Sequence, residues 1–347
     1  MTKNSSNIIK SFLNDFPEIF HSPQKVNAYL QDYSKNIEEI IVKDFVNFGL
    51  KDDFAIYANG GFGRQELYPS SDIDLSIIQK KKNINNSDNL EKFIAKLWDL
   101  GLQVGHSVRT IKDIKKIAKE DPKEFTSYLT RRPLLTNKKT DESINLALSK
   151  IWSKKKFYKV KLSEQEERYK SFFSTEYNLE PNLKESPGTL RDFQTSLWIL
   201  QHCFDLENID GIKKSKEFGN EIEEVINSYN FVKAMRYITN IISNKNRLTF
   251  EIQVEIADKA KLKEGTTKRS VEKLMQKFYE NASNLSNFNN LVFEKFKEQN
   301  QFAITKNYGE FFVRGSKIGL KKDANLEKQK ELIFDIFIAI GKSKKIN

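Results

Sequence analysis

The sequence predicts an α+β protein. A small sheet-bearing domain covers residues 25–135, an N-terminal helical extension precedes it over 1–24, and a mostly helical domain follows over 136–347. Three observations predict this. The short runs rich in β-branched and aromatic residues, Phe54–Ala58, Ile73–Ile78 and Val104–Thr110, all fall in the first third of the chain. All seven prolines lie at Pro187 or earlier; proline breaks helix interiors, so the proline-free remainder is compatible with long helices. Gly60, Gly61 and Gly63 fall within four positions directly after the first β-rich run, where the backbone most needs the freedom of a missing side chain.

Taken in order, residues 24–49 read as a helix because Val26, Leu30, Tyr33, Ile37, Ile40, Ile41 and Phe45 recur at helical spacing. Phe54–Ala58 reads as a strand running into Asn59-Gly60-Gly61, followed by a short helical turn from Phe62 that Pro69 stops. Ile73–Ile78 is a second strand. Lys80–Ser87 is a polar loop, and Leu90–Leu100 is a helix with Phe93, Leu97 and Leu100 on one face. Val104–Thr110 is a third strand, with helices at 111–119, 122–130 and 143–175. Residues 177–188 hold two prolines and a glycine and read as a loop. Leu190–Phe204 is a helix, with further helices at 216–248, 250–262 and 267–299, and a β-hairpin over 311–320 turning at Gly315-Ser316. Trp98 and Trp198 read as core residues rather than platforms for a stacked base.

Composition excludes several classes. One cysteine forms no internal disulfide. His21, His106, His202 and Cys203 do not supply the four closely spaced ligands of a structural zinc site, and no histidine is followed by aspartate. No run of about 18 apolar residues occurs, so no membrane partner is expected. The polar start lacks a signal peptide's apolar stretch, which makes a cytoplasmic, reduced protein the default. The formal charge of +11 is mostly scattered lysine. Solvated surface lysines account for it, and a nucleic-acid partner is not expected.

Chemistry concentrates in Asn59-Gly-Gly-Phe-Gly-Arg-Gln-Glu-Leu-Tyr-Pro-Ser-Ser-Asp-Ile-Asp-Leu75. Glycines let backbone approach a ligand, and the free N–H groups of a helical turn favour an anion. Asp72 and Asp74 lie two apart on a strand and so share a face, where their carboxylates can converge on metal. Magnesium suits such a site, with hard oxygen ligands and the remaining positions left to water and phosphate. Two such ions can activate an attacking oxygen and stabilise a leaving pyrophosphate.

With Gly61 eleven residues before Asp72, this stretch resembles the signature of the DNA polymerase beta-type nucleotidyltransferase superfamily. It resembles still more closely the bacterial protein-PII uridylyltransferases. Leu97-Trp-Asp-Leu-Gly-Leu-Gln-Val-Gly-His-Ser-Val-Arg-Thr110 and Asn178-Leu-Glu-Pro-Asn-Leu-Lys-Glu-Ser-Pro-Gly-Thr-Leu-Arg-Asp-Phe-Gln194, with Leu197-Trp198, resemble two further segments of that family in family order. The resemblance implies a small mixed sheet with flanking helices, and transfer of UMP from UTP to a tyrosine hydroxyl of a PII protein with release of pyrophosphate. By that resemblance Asp72 and Asp74 hold two Mg²⁺ ions, and Gly60 and Gly61 cradle the triphosphate. Ser71 either donates to a phosphate or merely enters the strand. Arg64 meets phosphate or pairs with Glu66 or another carboxylate. Arg109 lies beside the site or in a surface ion pair. Lys184, Arg191 and Asp192 close over the nucleotide or pin the two domains together.

The sequence departs from the wider pattern in three places. The strand that carries a third carboxylate in many superfamily members reads Val-Gly-His-Ser-Val-Arg-Thr here, which leaves His106 as the candidate base against a structural role. Thr189 replaces a second family glycine, so the loop around it is expected to differ. The family's full enzymes continue into a His-Asp hydrolase domain and glutamine-sensing ACT domains, about where this chain ends. Uridylyl removal and glutamine sensing in cis are therefore not expected, and a separate hydrolase/ACT partner chain is one way to supply them. Two other functions stay open: nucleotidyl transfer to RNA or another protein, and a non-catalytic module that binds PII or a nucleotide.

Overall fold

In the computed structural model the described residues are 3–80, 86–172, 177–262, 267–300, 305–308, 311–314, 317–320, 334, 336 and 337. They fall into two units, Met1–Asn290 and Leu291–Asn347. The first unit begins with α1 (Lys3–His21) and α2 (Val26–Asn47), joined by a 3-10 turn at Pro23–Lys25. The three predicted strands are present as β1 (Phe54–Ala58), β2 (Ile73–Gln79) and β3 (Val104–Arg109). Between them lie the glycine turn α3 (Gly60–Gly63) and α4 (Ser87–Asp99). Residues 81–85 of the expected polar loop lie outside the described residues.

A fourth strand, β4 (Arg132–Leu135), was not predicted. Its four residues include Pro133, which argues against a strand in the middle of a sheet. The sheet order is β3-β2-β1-β4, so β4 is an edge, where a missing N–H does little harm. β2 pairs antiparallel with β1 and parallel with β3, and β4 pairs antiparallel with β1, which makes the sheet mixed. Strand alternation sorts the two faces. Ile73, Leu75 and Ile77 join Phe45 of α2 and Phe93 and Leu97 of α4 in one buried core. Asp74 and Ser76 point to the other face.

After β3 come α5 (Ile111–Glu120) and α6 (Pro122–Leu129). The helix expected at 143–175 is two helices, α7 (Lys138–Leu148) and α8 (Lys154–Lys170). Lys150 adopts a left-handed φ of +63°, and the Ser153 side chain accepts from the Lys156 N–H to restart the chain as α8. Residues 173–175 of that expectation lie outside the described residues. The helical part continues with α9 (Leu190–Cys203), an unpredicted short α10 (Ile209–Lys214), α11 (Ile222–Ser243) and α12 (Phe250–Lys259). Asn244, left-handed at φ +53°, ends α11 earlier than expected. Every residue of α11 from Ser228 to Asn240 is buried, so it is the central helix of this unit.

α13 (Thr267–Asn300) runs from the first unit into the second. The second unit carries an antiparallel sheet, β5 (Thr305–Tyr308), β6 (Phe311–Arg314) and β7 (Lys317–Leu320). β6 and β7 are the arms of the expected hairpin, and its turn residues Gly315 and Ser316 lie outside the described residues. Trp98 is not a core residue: it is 53% exposed on α4. No described helix is long and apolar enough to cross a membrane.

Candidate active site

At the end of β1 the Asn59 N–H bonds to the Asp74 carbonyl at 2.9 Å, tying the glycine turn to β2. Gly60 then takes φ +55°, and a Cβ built on it would lie 2.7 Å from Asp74 Oδ2. A Cβ on Gly105 of β3 would lie 3.3 Å from Asp74 Oδ1. The Asp74 carboxyl therefore sits between two glycines, and any other residue at position 60 would displace it. Asp72, two residues earlier, shares its face. Both line a cleft of about 830 Å³ together with Gly60, Gly61, Arg64 and Ser71. Burial, and the neighbouring Asp72 carboxylate, raise the Asp74 pKa; Lys184 and Arg64 oppose the rise without cancelling it.

The far wall of the cleft belongs to α8, the loop after Pro181, α9 and α11. One polar stripe on α11 docks the motif against this wall. Tyr229, Lys233, Arg236 and Asn240 are spaced as i, i+4, i+7 and i+11, so they lie along one helix face. Tyr229 Oη donates to Glu66 at 2.9 and 3.0 Å, and Lys233 Nζ donates to Glu66 at 3.4 Å. Arg236 lies 4.0 Å over the Tyr68 ring, and Ser70 Oγ donates to Asn240 at 3.0 Å. Glu66 also accepts from Arg64 Nε at 2.9 Å. Burial alone would raise the Glu66 carboxyl, but Lys233, Arg64 and the Tyr229 hydroxyl outweigh it and hold the pKa below the usual value.

The expected site residues divide into two groups. Ser71 lines the cleft, and its Oγ accepts from the Tyr68 N–H at 3.3 Å. Arg64 takes both of its anticipated positions, on the cleft wall and paired with Glu66. Lys184 and Arg191 line the cleft, and Arg191 is bound to Glu185 through Nε at 3.3 Å and Nη2 at 2.9 Å. Asp192 does not line it. Fully buried, it accepts from Arg168 Nη2 at 2.5 Å, Tyr169 Oη at 2.7 Å and the Gly188 N–H at 2.6 Å, and so pins the loop to α8. Arg109 also lies apart. It forms a two-pronged pair with Glu124 at 2.6 and 3.1 Å and reaches Tyr128 Oη at 3.1 Å, so it ties β3 to α6.

His106 lies on the opposite sheet face from Asp74. Its neighbour Gly105 faces Asp74, and the His106 ring sits 5.9 Å from that of Trp98 on α4. Thr189 fits its place without strain, in extended conformation at φ −115°. Gly188 alone takes the left-handed conformation, at φ +72°, and a Cβ there would come within 2.4 Å of the Ala282 carbonyl.

Sequence reasoning missed Lys161, Gln165 and Arg168, which line the cleft from α8. They continue from Phe157 at spacings of four, four and three, and that polar stripe on a helix with few apolar residues was the available signal. Trp198 is not a core residue either. It is half-buried on the cleft wall, with Lys161 Nζ 5.1 Å and the Arg191 guanidinium 5.6 Å from its ring centre. Among the described residues no group of three or more His, Cys, Asp or Glu side chains comes together as a metal site. A metal here would rest on Asp72 and Asp74 with water and substrate oxygens. That donor set fits magnesium, and the absent side chains at Gly60 and Gly105 keep the Asp74 oxygens clear.

Residues 156–293 match the family described as GlnD PII-uridylyltransferase. By sequence, the chain belongs to the PII-uridylyltransferase family. It is 30% identical over 307 residues to a bifunctional uridylyltransferase/uridylyl-removing enzyme of Vibrio vulnificus (strain YJ016), covering 85% of this chain and 35% of that protein. The protein of the same name from Hydrogenovibrio crunogenus is 30% identical over 351 residues, covering 95% of this chain and 39% of the relative. That of Vibrio atlanticus is 33% identical over 305 residues, covering 84% and 35%. This family member thus spans little more than a third of the length of these relatives.

Proposed function

We propose that this PII-uridylyltransferase relative transfers UMP from UTP to a tyrosine hydroxyl of a PII protein in the cytoplasm, with release of pyrophosphate. The observation that carries this reading is the convergence of Asp72, Asp74 and the Gly60-Gly61 turn on one cleft, with a cationic wall opposite. Asp72 and Asp74 would hold magnesium. When bound, magnesium supplies charge neutralisation along the triphosphate and polarises the phosphoryl group under attack. Gly60 and Gly61 let the backbone approach the phosphates. Arg64, fixed by Glu66, offers a cation from the same side. The tyrosine oxygen forms the new P–O bond at the α-phosphate as the bond to the bridging oxygen breaks. That electron pair leaves with pyrophosphate, and the phenolic proton passes to solvent. Positioning and fixed charge carry the acceleration.

The test is incubation of the chain with PII, Mg²⁺ and UTP labelled at the α- or the γ-phosphate. Label from the α-phosphate on a PII tyrosine, and none from the γ-phosphate, is expected. No transfer from either would sink the reading. Transfer to RNA in its place would move the function to the RNA-directed alternative.

A further inference from the structure

Most cations of the cleft have a carboxylate of their own. Arg64 is held by Glu66, Lys161 by Glu164, and Arg168 by Asp192. Arg191 takes both oxygens of Glu185. Two cations differ. Arg236 of α11 is only 9% exposed, and its Nε donates to a neutral acceptor, Asn246 Oδ1, at 2.7 Å. Among the described residues, no carboxylate lies within 4 Å of it. Among the described residues Lys184 has only Glu185, at 3.8 Å, whose two oxygens Arg191 already engages.

An arginine cannot shed its proton in a protein, and a buried charge without a counter-charge is costly; the partners of Arg236, the Asn246 oxygen and the Tyr68 ring, are both neutral. Its environment therefore favours an incoming anion. We propose that Lys184 and Arg236 form the subsite for the pyrophosphate end of the nucleotide, so that the helical part of the molecule holds the leaving group. This rests on the nucleotidyl-transfer reading and deepens it.

Three further observations place the subsite. Both cations line the same cleft as Asp72 and Asp74. Burial, then the charge of Arg191, with Arg236 and Arg64 adding to them, draws the Lys184 pKa down against the opposing Glu185 carboxylate. A single residue also organises both. Asn246 accepts from Arg236 through Oδ1, while its carbonyl accepts the Leu183 N–H at 2.8 Å, one residue before Lys184. The reacting α-phosphate has to sit at the carboxylates beside the acceptor. The tail then extends along the cleft, and among its buried and half-buried cations Lys184 and Arg236 are the least neutralised.

The test is calorimetric binding of Mg²⁺-pyrophosphate, UTP and UMP to the full chain and to Lys184→Gln, Arg236→Gln and Arg236→Lys. A charge-assisted hydrogen bond contributes enough that its loss weakens binding on the order of 10-fold or more. Each Gln variant is expected to lose about that much affinity for pyrophosphate and UTP and to bind UMP as the wild type does, with Arg236→Lys intermediate. A general loss of packing would instead weaken UMP and UTP together, and that result would overturn the proposal. So would unchanged pyrophosphate affinity in both Gln variants, or no pyrophosphate binding by the wild type. Binding is read without an acceptor protein. Failure of PII labelling alongside the expected binding pattern would therefore overturn the acceptor assignment and leave this subsite standing.

Discussion

Replacing Gly60 by alanine separates backbone strain from damage to the site. A left-handed conformation costs a residue with a Cβ about 1–2 kcal/mol, and reduced freedom of the unfolded chain returns about 0.4–1 kcal/mol. Gly101 supplies the control: its φ is +75°, and nothing lies within 4 Å of a Cβ there. Gly101→Ala is therefore expected to lose about 1 kcal/mol or less and to keep full activity. Gly60→Ala meets the same strain at φ +55° and also sets a Cβ 2.7 Å from Asp74 Oδ2. Turning that carboxylate off its rotamer adds about 0.5–1.5 kcal/mol. A displacement of the order of an ångström in a reacting group costs about 10²-fold in rate. Gly105→Ala, with a 3.3 Å contact and no positive φ, is expected to fall between the two. Urea denaturation and UMP transfer, measured on all three variants, check the series. Equal activity in Gly60→Ala and Gly101→Ala would refute the reasoning that Gly60 is required by Asp74.

Other consequences concern charge. Because burial and Asp72 raise the Asp74 pKa, its ionised form opposes folding at neutral pH. Asp74→Asn is expected to abolish transfer yet raise the melting temperature at pH 7, the gap closing as pH falls through the raised value; a lower melting temperature at pH 7 would contradict this. Glu66 is the opposite case, held low by Lys233 and Arg64 against the effect of burial, so its contribution is present at neutral pH and lost on acidification. Glu66→Gln is expected to cost about 2–3 kcal/mol at pH 7 in urea denaturation, and much less at acid pH. Asp192→Ala leaves Arg168, Tyr169 and the Gly188 N–H without their acceptor, and is expected to cost about 3–5 kcal/mol by the same measurement. Arg109→Gln is expected to lower stability by about 1 kcal/mol and leave the KM for UTP unchanged; a raised KM would return Arg109 to the nucleotide.

The parts legible in the sequence were those set by local rules. β1 begins and ends where its β-rich run does, and the two-residue spacing of Asp72 and Asp74 put both on the cleft face because a strand alternates. The glycine turn was legible for a similar reason, since Gly60 and Gly61 interrupt the chain where a strand must give way to a site. β4 was hidden by Pro133, which is harmless only at an edge, and edge position is a property of the assembled sheet. The far wall was hidden by distance along the chain. Glu66 meets Tyr229 and Lys233, more than 160 residues away, and nothing local to either segment announces the other. Trp98 and Trp198 follow from the same limit. A tryptophan at helical spacing is usually core, and only the packed structure shows one at the surface of α4 and the other on the cleft wall.

The most direct test of the central claim is the intact mass of PII after incubation with UTP and Mg²⁺, with wild-type chain or with Asp72→Ala/Asp74→Ala. The account predicts a gain of one uridylyl group per modified subunit with the wild type and none with the double variant. Equal modification by both would show that the chemistry does not run at the two aspartates.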